Sequence, residues 1–351
     1  MIAPDDSVFA SRGKTLVCIC VPTYNVASTV RESLESILRQ SYRNIVVRVS
    51  DNASTDDTLA ILELIDDERL TIHRQETNIG AEGNFTRCIE LATGKYTAIF
   101  HADDVYEPGI VAKQVEYLEG NADVSAVFTE ATTIDECGIP FGVIGAVPGN
   151  SHGVRRLGFV ELLRSMLLYN NYLVCPSAMV RTEIYKYEIK EWGNSLFRSA
   201  SDVDIWLRLS KRGQIAVLDE PLMRYRISGM QFSYLNRTRT ERLDFFRVMD
   251  DYLSRPEVRD FLTRADFRHY GWLERHECVA RSMNLFALGR VAESRKLLTG
   301  ILTWDAVHAA VRTRRGFVTL MGLALLRIAI PFGASARVRA IVGAAKRISW
   351  R

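Results

Sequence analysis

Residues 96–104 of the chain read YTAIFHADD. The apolar first half lacks the alternation of a half-exposed strand, so it predicts a strand that is buried on both faces. His101, Asp103 and Asp104 follow directly, where this strand leaves the core. The carboxyl ends of strands in an open α/β sheet border the ligand crevice, so we expect chemistry at these side chains. The stretch predicts a buried sheet and a site at its edge.

Strand and helix patterns alternate on both sides of this stretch. Such alternation specifies βαβ units, so the predicted fold class is α/β, with a mostly parallel sheet flanked by helices. Residues 135–150 are rich in turn signals and are predicted to be loop. The predicted strands are 16–21 (stopped by Pro22), 44–49, 70–74, 96–100, 125–129, 177–180 and 216–225, and the predicted helices are 26–39, 57–65, 83–92, 111–118, 159–168 and 202–211.

Strand signals end beyond residue 236, and helical patterns continue to the C-terminus. The predicted helices there are 243–253, 258–267, 274–288 and 292–302. We therefore predict three parts: a flexible leader at 1–14, an α/β domain at 15–235, and a helical domain with a basic, apolar tail at 236–351.

The net charge is small for a chain of this length. The 351 residues include 45 Lys and Arg and 42 Asp and Glu, which gives a formal charge of +3. This value excludes a polyanion-binding protein defined by its overall charge. Residues 312–351, however, contain basic residues and no Asp or Glu. Such a segment suggests contact with an anionic surface.

The cysteines and the N-terminal residues indicate a cytoplasmic protein. The six cysteines lie mostly in apolar stretches and lack the spacing of a metal site, which is typical of reduced core thiols. Residues 1–14 contain acidic residues and lack the apolar segment of a signal peptide. We therefore expect a cytoplasmic location.

Four short polar segments follow the first four predicted strands, and parallel strands bring such segments to one edge of a sheet. The segments are VPTYN (21–25), SDNASTDDT (50–58), NIG (78–80) and HADD (101–104). Tyr24 offers an aromatic face to a nucleobase, and Asp51 can accept hydrogen bonds from a base or ribose. Together the segments outline a nucleotide crevice.

Each segment also has an ordinary structural interpretation. Tyr24 could be a loop aromatic, the run at 54–58 could cap a helix, with Asp56 as the clearest case, and HADD could be a solvated turn. Their shared position at successive strand ends favours a site. A nicotinamide dehydrogenase is excluded, because no GxGxxG follows the first strand.

Residues 16–230 resemble the family 2 glycosyltransferases of the GT-A fold. That family has a strand ending in PxYN, a V-D-D-G-S-x-D segment, an N-x-G, a D-x-D with a further Asp, and an E-D before a W-x-R helix. Here the motifs read VPTYN, VSDNASTD, NIG, HADD and SDVDIWLRL. The resemblance implies an inverting transfer of a sugar from a nucleotide-diphosphate sugar to a hydroxyl of a glycan or lipid-linked acceptor, in bacterial surface-polysaccharide synthesis.

The resemblance also implies roles for individual residues. Tyr24 and Asp51 hold the base, Pro22 and Asn78 line the nucleotide site, and Asp103 binds a divalent metal. Mg²⁺ or Mn²⁺ held by carboxylate oxygens neutralises the charge that develops on a departing diphosphate. The expected cofactor is therefore Mn²⁺ or Mg²⁺.

Two positions depart from the family pattern. His101 stands where the first Asp of D-x-D is expected, and residues 225–228 read YRIS, without the His that often follows the Tyr-Arg pair. His101 could bind Mn²⁺ through a neutral imidazole, contact the sugar or diphosphate, or pack in the core. We include His101 with Asp103 as a candidate metal ligand.

Asp202 is the candidate general base. It aligns with the Asp of the E-D pair, and the first position of that pair is Ser201 here. An inverting transfer needs a carboxylate opposite the leaving diphosphate to accept the proton of the attacking hydroxyl. Asp202 could instead only cap the helix that follows, and Asp204 is the neighbouring alternative. The order of the motifs favours Asp202.

The departures at His101 and Ser201 also motivate a different class of function. The chain could be a catalytically degenerate subunit that binds a sugar nucleotide or a glycan within an assembly complex.

The basic tail has several interpretations. Residues 318–331 are almost wholly apolar, but Arg327 interrupts them and they fall short of the ~20 residues that cross a bilayer, so we do not expect them to span. The segment 312–351 could meet anionic lipid headgroups, pack on other helices, or form a homo-oligomer contact. Sparse aromatic residues disfavour nucleic acid. We favour a peripheral contact with the inner face of the cell membrane.

Overall fold

A computed structural model describes residues 15–146, 153–193, 196–228, 238–301, 314–333 and 335–349. The chain divides into two compact units, one of Met1–Leu163 and Asn171–Ser228 and the other of Arg164–Asn170 and Gly229–Arg351. The predicted leader and the predicted domain boundary after residue 235 both lie outside the described residues.

The first unit contains a mostly parallel sheet flanked by helices, which confirms the predicted fold class. Within the described residues the strand order is β3-β2-β1-β4-β9-β6-β10-β5, with β7 paired to β6 and β8 paired to β10. The strands are β1 Val17–Thr23, β2 Ile45–Asp51, β3 Leu70–Arg74, β4 Tyr96–Ile99, β5 Val105–Tyr106, β6 Val124–Ile134, β7 Pro140–Ile144, β8 Arg155–Leu157, β9 Met179–Arg181 and β10 Gln214–Arg226.

Parallel pairing brings the ends of the first four strands to one edge. Strand β1 pairs in parallel with β2 and β4, and β2 pairs in parallel with β3. Strand β10 is parallel to β6, whereas β9 runs antiparallel between β4 and β6. The helices of this unit are α1 Val30–Leu38, α2 Thr58–Glu63, α3 Gly80–Leu91, α4 Ile110–Gly120, α5 Phe159–Tyr169, whose last residues belong to the second unit, and α6 Ser201–Ser210.

One apolar core holds this sheet together. The strands β1 and β2 are buried along nearly their whole length, as their continuous apolar sequences predict. Their side chains join those of α1 and α4 in one cluster that includes Leu34 and Val111. A rigid core of this kind fixes the positions of the loops that leave its edge.

The first strand continues two residues further than predicted. Pro22 was expected to end it, but Pro22 pairs with Ser50 and Thr23 pairs with Asp51 on β2. The pairing with β4 on the other side stops at Cys20. The missing N–H of proline is therefore tolerated, because it falls beyond the last pair on that side.

Three short strands were not predicted. The region predicted as loop at 135–150 contains β7, which forms an antiparallel hairpin with β6 and is exposed at every position. Strands β5 and β8 are two and three residues long. Such strands carry too little periodicity for a sequence pattern, since they pair on an existing sheet edge.

The second unit is helical where it is described. Its helices beyond α5 are α7 Asp244–Ser254, α8 Pro256–Arg259, α9 Arg264–Ala287, α10 Val291–Leu297, α11 Arg314–Ala329 and α12 Ala336–Ser349. The predicted helices 258–267 and 274–288 are wrong in their boundaries, because α9 runs without a break. Thr263 and Asp266 form a capping box at its start, and Gly271 lies within it.

The helix α11 contributes to the core of this unit. Leu323, Leu326 and Ala329 pack with residues of α9 and α12 in a second apolar cluster. In the described part of the chain, one segment, Arg315–Phe332, is long and apolar enough to cross a membrane, with a mean hydropathy of 1.5 over 18 residues and a third of them buried. Length and composition alone are weak evidence of a span.

Candidate active site

Hydrogen bonds join the loops that follow β1 and β2. Asn52 donates its backbone N–H to Thr23 O at 2.9 Å, and Val26 donates to the hydroxyl of Thr58 at 2.8 Å. The backbone N–H of Ala27 donates to Asp56 Oδ2 at 3.1 Å, and Thr58 N donates to Asp56 Oδ1. Asp56 thus joins the start of α2 to the first loop, although the N-cap residue of α2 is Asp57, which makes no side-chain capping bond.

Asp51 is fully buried at the end of β2, with an exposed fraction of 0%. Its carboxylate accepts hydrogen bonds from the hydroxyl of Thr23 at 3.2 Å and from Ser54, through Oγ at 2.5 Å and the backbone N–H at 3.1 Å. These donors are all supplied by the protein. The side chain shapes the loop, and its predicted contact with a base stays a prediction.

The other nucleotide candidates on β1 are more accessible. Tyr24 is 45% exposed directly after the strand, and Pro22 is half-buried beside it. The neighbouring Asn25 has a positive φ of 51° and accepts a hydrogen bond from Thr55 N at 2.8 Å. The tight turn leaves the ring of Tyr24 in solvent at the strand end, where a flat ligand could stack.

Asn78 orders the turn that begins α3. Its Oδ1 accepts from Gly80 N at 2.8 Å and from Asn52 Nδ2 at 3.0 Å, while Asn52 Oδ1 accepts from Ile79 N at 2.9 Å. Gly80 has a φ of +79°, which a residue with a Cβ rarely adopts. The NIG motif is therefore a turn, built on the exposed Asn78.

Asn84 is a structural anchor that the sequence analysis missed. It lies on α3 and is buried, and its Nδ2 donates to Ser50 O at 3.0 Å and Thr23 O at 3.3 Å. Its Oδ1 accepts from the hydroxyl of Ser50 at 2.7 Å. One amide thus joins the ends of β1 and β2 to α3. A polar residue at a core-facing position of a helix was the available signal.

The HADD segment is held by hydrogen bonds to its backbone. Thr29 Oγ1 donates to Ala102 O at 3.0 Å, and Ser33 Oγ donates to His101 O at 2.9 Å, both from the start of α1. The backbone N–H of His101 donates to the hydroxyl of Tyr106 at 2.6 Å, and the Tyr106 ring stacks on Phe100 at 3.9 Å. The side chains of the segment are therefore presented from a fixed backbone.

His101, Asp103 and Asp104 form a cluster in which one ligand atom of each lies within 4.8 Å of the others. Asp104 is 1% exposed, and its Oδ2 has no hydrogen-bond partner among the described residues. Burial, and secondarily the charge of Asp103, raises the pKa of Asp104 well above its usual range. Burial lowers the pKa of His101, against the opposing effect of Asp103, which favours the neutral imidazole that a metal needs.

These residues fit a divalent cation. Ligand atoms bound to one ion at about 2.1–2.3 Å lie within about 4.6 Å of each other, which agrees with the observed spread. The unpartnered oxygen of Asp104 is a buried acceptor that a cation would satisfy. Oxygen ligands with one imidazole suit Mn²⁺. Asp104 thus joins the predicted candidates Asp103 and His101.

Arg226, at the end of β10, forms hydrogen bonds with Asp103 and Asp104 of this cluster. Its backbone N–H donates to Asp104 Oδ1 at 2.8 Å, and its Nε donates to Asp103 O at 2.9 Å. The buried guanidinium also pairs with Glu32 at 2.6 Å. The Arg of the YRIS sequence therefore positions the HADD segment.

Asp202 lies in the first turn of α6, after the N-cap Ala200. Its Oδ2 accepts a hydrogen bond from Asn171 Nδ2 at 3.0 Å. Burial raises the pKa of Asp202 to about 6, although hydrogen bonds from Val203 and Asn171 oppose this shift. The N-cap position itself is Ala200, and the raised pKa of Asp202 suits a base that works near neutral pH. Asp204, the alternative, lies 3.7 Å from Arg208 in an ion pair.

Cys175 contacts His101, and its pKa responds to the charges of Asp202 and Asp104. Its Sγ lies 4.0 Å from His101 Nε2. Burial raises the pKa of the Cys175 thiol, and the negative charges of Asp202 and Asp104 add to this effect. The thiol therefore contacts one metal candidate, His101, and its pKa responds to the charge of the base candidate, Asp202.

Glu82 supplies a carboxylate at the start of α6, where the family pattern has a Glu and this chain has Ser201. The hydroxyl of Ser201 donates to Glu82 Oε1 at 3.0 Å. Gly193 allows this approach, because a Cβ there would lie 2.9 Å from the Glu82 carboxyl carbon. Sequence patterns could not show this pair, since its members are 119 positions apart.

Comparisons with known proteins identify the family. Residues 18–185 match the family model described as glycosyl transferase family 2. The chain is 32% identical over 223 residues to an uncharacterized glycosyltransferase of Haemophilus influenzae, covering 62% of this chain and 67% of that protein. It is 26% identical over 200 residues to the Escherichia coli UDP-Glc:alpha-D-GlcNAc-diphosphoundecaprenol beta-1,3-glucosyltransferase WfaP, covering 56% and 71%.

A solved structure also resembles the chain in fold. Residues 1–349 of S. aureus TarS, crystallised in complex with UDP-GlcNAc, match with a TM-score of 0.55 at 15% identity. The match covers 95% of this chain and 92% of that chain. At this identity the likeness shows the fold.

Proposed function

Because this chain belongs to glycosyl transferase family 2, we propose that it transfers a sugar from a nucleotide-diphosphate sugar to an acceptor hydroxyl, with inversion at the anomeric carbon. One observation carries the proposal most. The carboxylate of Asp202, at the start of α6, is held by Asn171 and has a pKa raised by burial to about 6, as a general base near neutral pH requires.

The donor occupies the crevice at the ends of β1 to β4. The exposed ring of Tyr24 stacks on the base, and Pro22 and Asn78 line the nucleotide site. The buried carboxylate of Asp51 shapes the neighbouring loop through its hydrogen bonds to Ser54. A direct contact between Asp51 and the base requires this loop to open. The binding energy thus comes from stacking and from the ordered loops.

Asp103, His101 and Asp104 hold a divalent cation, Mn²⁺ or Mg²⁺. When bound, the cation supplies positive charge that stabilises the diphosphate leaving group. The fixed backbone of the HADD segment keeps these three side chains at the donor end of the site. The protein's own part is to orient the ligands and to keep His101 neutral.

Asp202 is the general base of the transfer. Its carboxylate accepts the proton of the acceptor hydroxyl while that oxygen bonds to the anomeric carbon. The bond from this carbon to the diphosphate oxygen breaks, and the nucleoside diphosphate leaves with the electron pair. Asn171 holds the carboxylate in place through its hydrogen bond to Oδ2.

We further propose that the acceptor is a glycan or a lipid-linked sugar in surface-polysaccharide synthesis. The relative WfaP supports this class, since its name describes transfer from UDP-Glc to a sugar on diphosphoundecaprenol. A UDP sugar is accordingly the first donor to test. A cytoplasmic location is supported by the six cysteines, which are all free.

The base assignment is tested by Asp202→Asn, with Asp204→Asn as the matched control. A panel of UDP, GDP and dTDP sugars first identifies the donor by the release of nucleoside diphosphate. We expect Asp202→Asn to lower kcat by about 10²–10⁴-fold, the usual contribution of a general base, with the donor Kd unchanged. Asp204→Asn keeps most of its activity. Equal turnover of Asp202→Asn and the wild type would remove Asp202 from this role.

The metal assignment is tested by Asp103→Asn and by calorimetric titration of nucleotide with and without Mn²⁺. We expect the wild type to bind nucleoside diphosphate more tightly with Mn²⁺ than without it. Asp103→Asn should lose this gain in affinity. Loss of nucleotide binding with no effect of metal would contradict the role. Nucleotide binding by the wild type with no product on any acceptor would instead favour the degenerate binding subunit that His101 and Ser201 suggest.

A further inference from the structure

The helix α11 is apolar on two opposite faces. Its inner face, with Leu323, Leu326 and Ala329, is buried in the core of the second unit. Its outer face forms a line at helical spacing, here named the exposed stripe: Phe317 (57% exposed), Met321 (55%), Ala324, Ile328 (70%) and Phe332 (62%) in the turn that follows. A surface helix in water normally presents polar side chains outward. The stripe is therefore an apolar face that needs a partner.

The segment that carries the exposed stripe has charged residues of one sign. Residues 312–351 contain nine Lys and Arg and no Asp or Glu. Arg327 and Arg337 are exposed and have no hydrogen bond or ion pair with any residue that the structure describes. Other cations of the segment are held internally, as when Arg315 donates to Leu168 O at 2.7 Å and Lys346 to Asn284 Oδ1 at 2.6 Å. The outward charge is thus positive.

We propose that the exposed stripe lies in the headgroup region of an anionic lipid bilayer. The side chains of the stripe enter the boundary with the acyl chains, and Arg327 and Arg337 meet lipid phosphates. This inference stands apart from the proposed catalysis, because it rests only on residues of the second unit.

Two other occupants of the stripe are less consistent with the structure. A helix that spanned the bilayer would have to remove Leu323 and Leu326 from the core and carry Arg327 into the acyl region. A contact between two copies of the segment 312–351 would bring together cations of both copies, and this segment has no acidic residue to compensate them. A lipid surface alone supplies both an apolar layer and negative charge.

The test is sedimentation of the full chain with vesicles. The wild type should pellet with vesicles of phosphatidylglycerol and phosphatidylcholine in equal parts, less with phosphatidylcholine alone, and be released by high salt. The stripe variant Phe317→Ser, Met321→Gln, Ile328→Gln, Phe332→Ser should bind about tenfold or more weakly to the anionic vesicles. The matched control Phe261→Ser removes a ring that is 53% exposed elsewhere in the second unit and should bind as the wild type does.

A second variant distinguishes loss of the lipid contact from misfolding of the stripe variant. Arg327→Glu with Arg337→Glu keeps the exposed stripe and should lose binding to anionic vesicles while its circular dichroism stays unchanged. Wild-type protein that remains in the supernatant with anionic vesicles overturns the proposal. Release by detergent but not by salt would show a spanning helix instead. A dimer that the stripe variant dissociates, without vesicle binding, would show a second copy on this face.

Discussion

At the scale of single residues, the site depends on carboxylates that the protein holds in different environments. Asp51 is surrounded by donors from Thr23 and Ser54. Asp202 accepts a hydrogen bond from Asn171, and burial raises its pKa to about 6. Two aspartates at the edge of one sheet can thus serve different purposes, because Asp51 orders a loop and Asp202 can accept a proton near neutral pH.

The pKa of Asp202 predicts the pH dependence of the reaction. A general base must be deprotonated to accept a proton, so activity falls as the pH drops through about 6. We expect kcat/KM to show an acidic limb near that value and a tenfold loss per pH unit below it. Measurement of initial rates from pH 4.5 to 8 with the identified donor checks this. An acidic limb near pH 4 would show that Asp202 is not the group that titrates.

The same pKa predicts a stability cost at the site. A carboxyl whose pKa is raised on folding contributes stability below its unfolded value near 3.8, and this contribution is lost as the pH rises through about 6. Asp202→Asn, which cannot ionise, should therefore be more stable than the wild type above pH 6, by about 1–3 kcal/mol. Urea unfolding at pH 4 and pH 7.5 measures this. The gain should be small at pH 4, and an equal gain at both pH values would contradict the explanation.

At the scale of elements, the site is assembled by side chains that connect the ends of different strands and helices. Asn84 joins α3 to β1 and β2, and Arg226 joins β10 to the HADD segment and to Glu32 on α1. Because these anchors are buried, they fix the loops without occupying the crevice. The geometry of the donor site therefore depends on residues that need not touch the donor.

Removal of Arg226 tests this dependence. Arg226→Ala keeps the backbone N–H that binds Asp104, but it removes the guanidinium hydrogen bonds to the carbonyl of Asp103 and to Glu32, so we expect a loss of about 1–3 kcal/mol in the free energy of unfolding. It should also weaken the Mn²⁺-dependent part of nucleotide binding. The control Arg224→Ala removes a half-exposed pair with Glu107 and should cost about 0–1 kcal/mol. Equal losses in the two variants would show that Arg226 does not organise the cluster.

The sequence predicted the long elements and the positions of the site segments, but not the connections between them. Strands such as β1 and β2 can be predicted from their apolar sequences, because both of their faces are buried. The strand β7 is exposed on both faces, so it has no apolar alternation, and the pairing of Glu82 with Ser201 joins residues 119 positions apart. Motif order located Asp202, whereas its burial and raised pKa became visible only in the fold. Asp104 becomes a ligand candidate only in the fold, where its Oδ2 is buried without a partner among the described residues.

At the scale of the whole molecule, the chain has two separate apolar cores. One surrounds the sheet of the first unit, and the other is formed by α9, α11 and α12 with residues near α10. The donor site belongs entirely to the first unit, whereas the proposed lipid contact belongs to the second. A change in one core should therefore affect one function and leave the other intact.

A core substitution in each unit tests this separation. Leu326→Ala removes a fully buried side chain from the second core and should lower the stability of that unit by about 2–5 kcal/mol, while Leu34→Ala does the same in the first. Nucleotide at 100 times its Kd adds about 2.7 kcal/mol to the unit that binds it. Calorimetry with and without nucleoside diphosphate and Mn²⁺ should thus show an unchanged ligand shift in Leu326→Ala. Because ligand stabilises only the cooperative unit that binds it, a single unfolding transition that is raised by nucleotide and lowered by Leu326→Ala would mean that the two units unfold as one cooperative body.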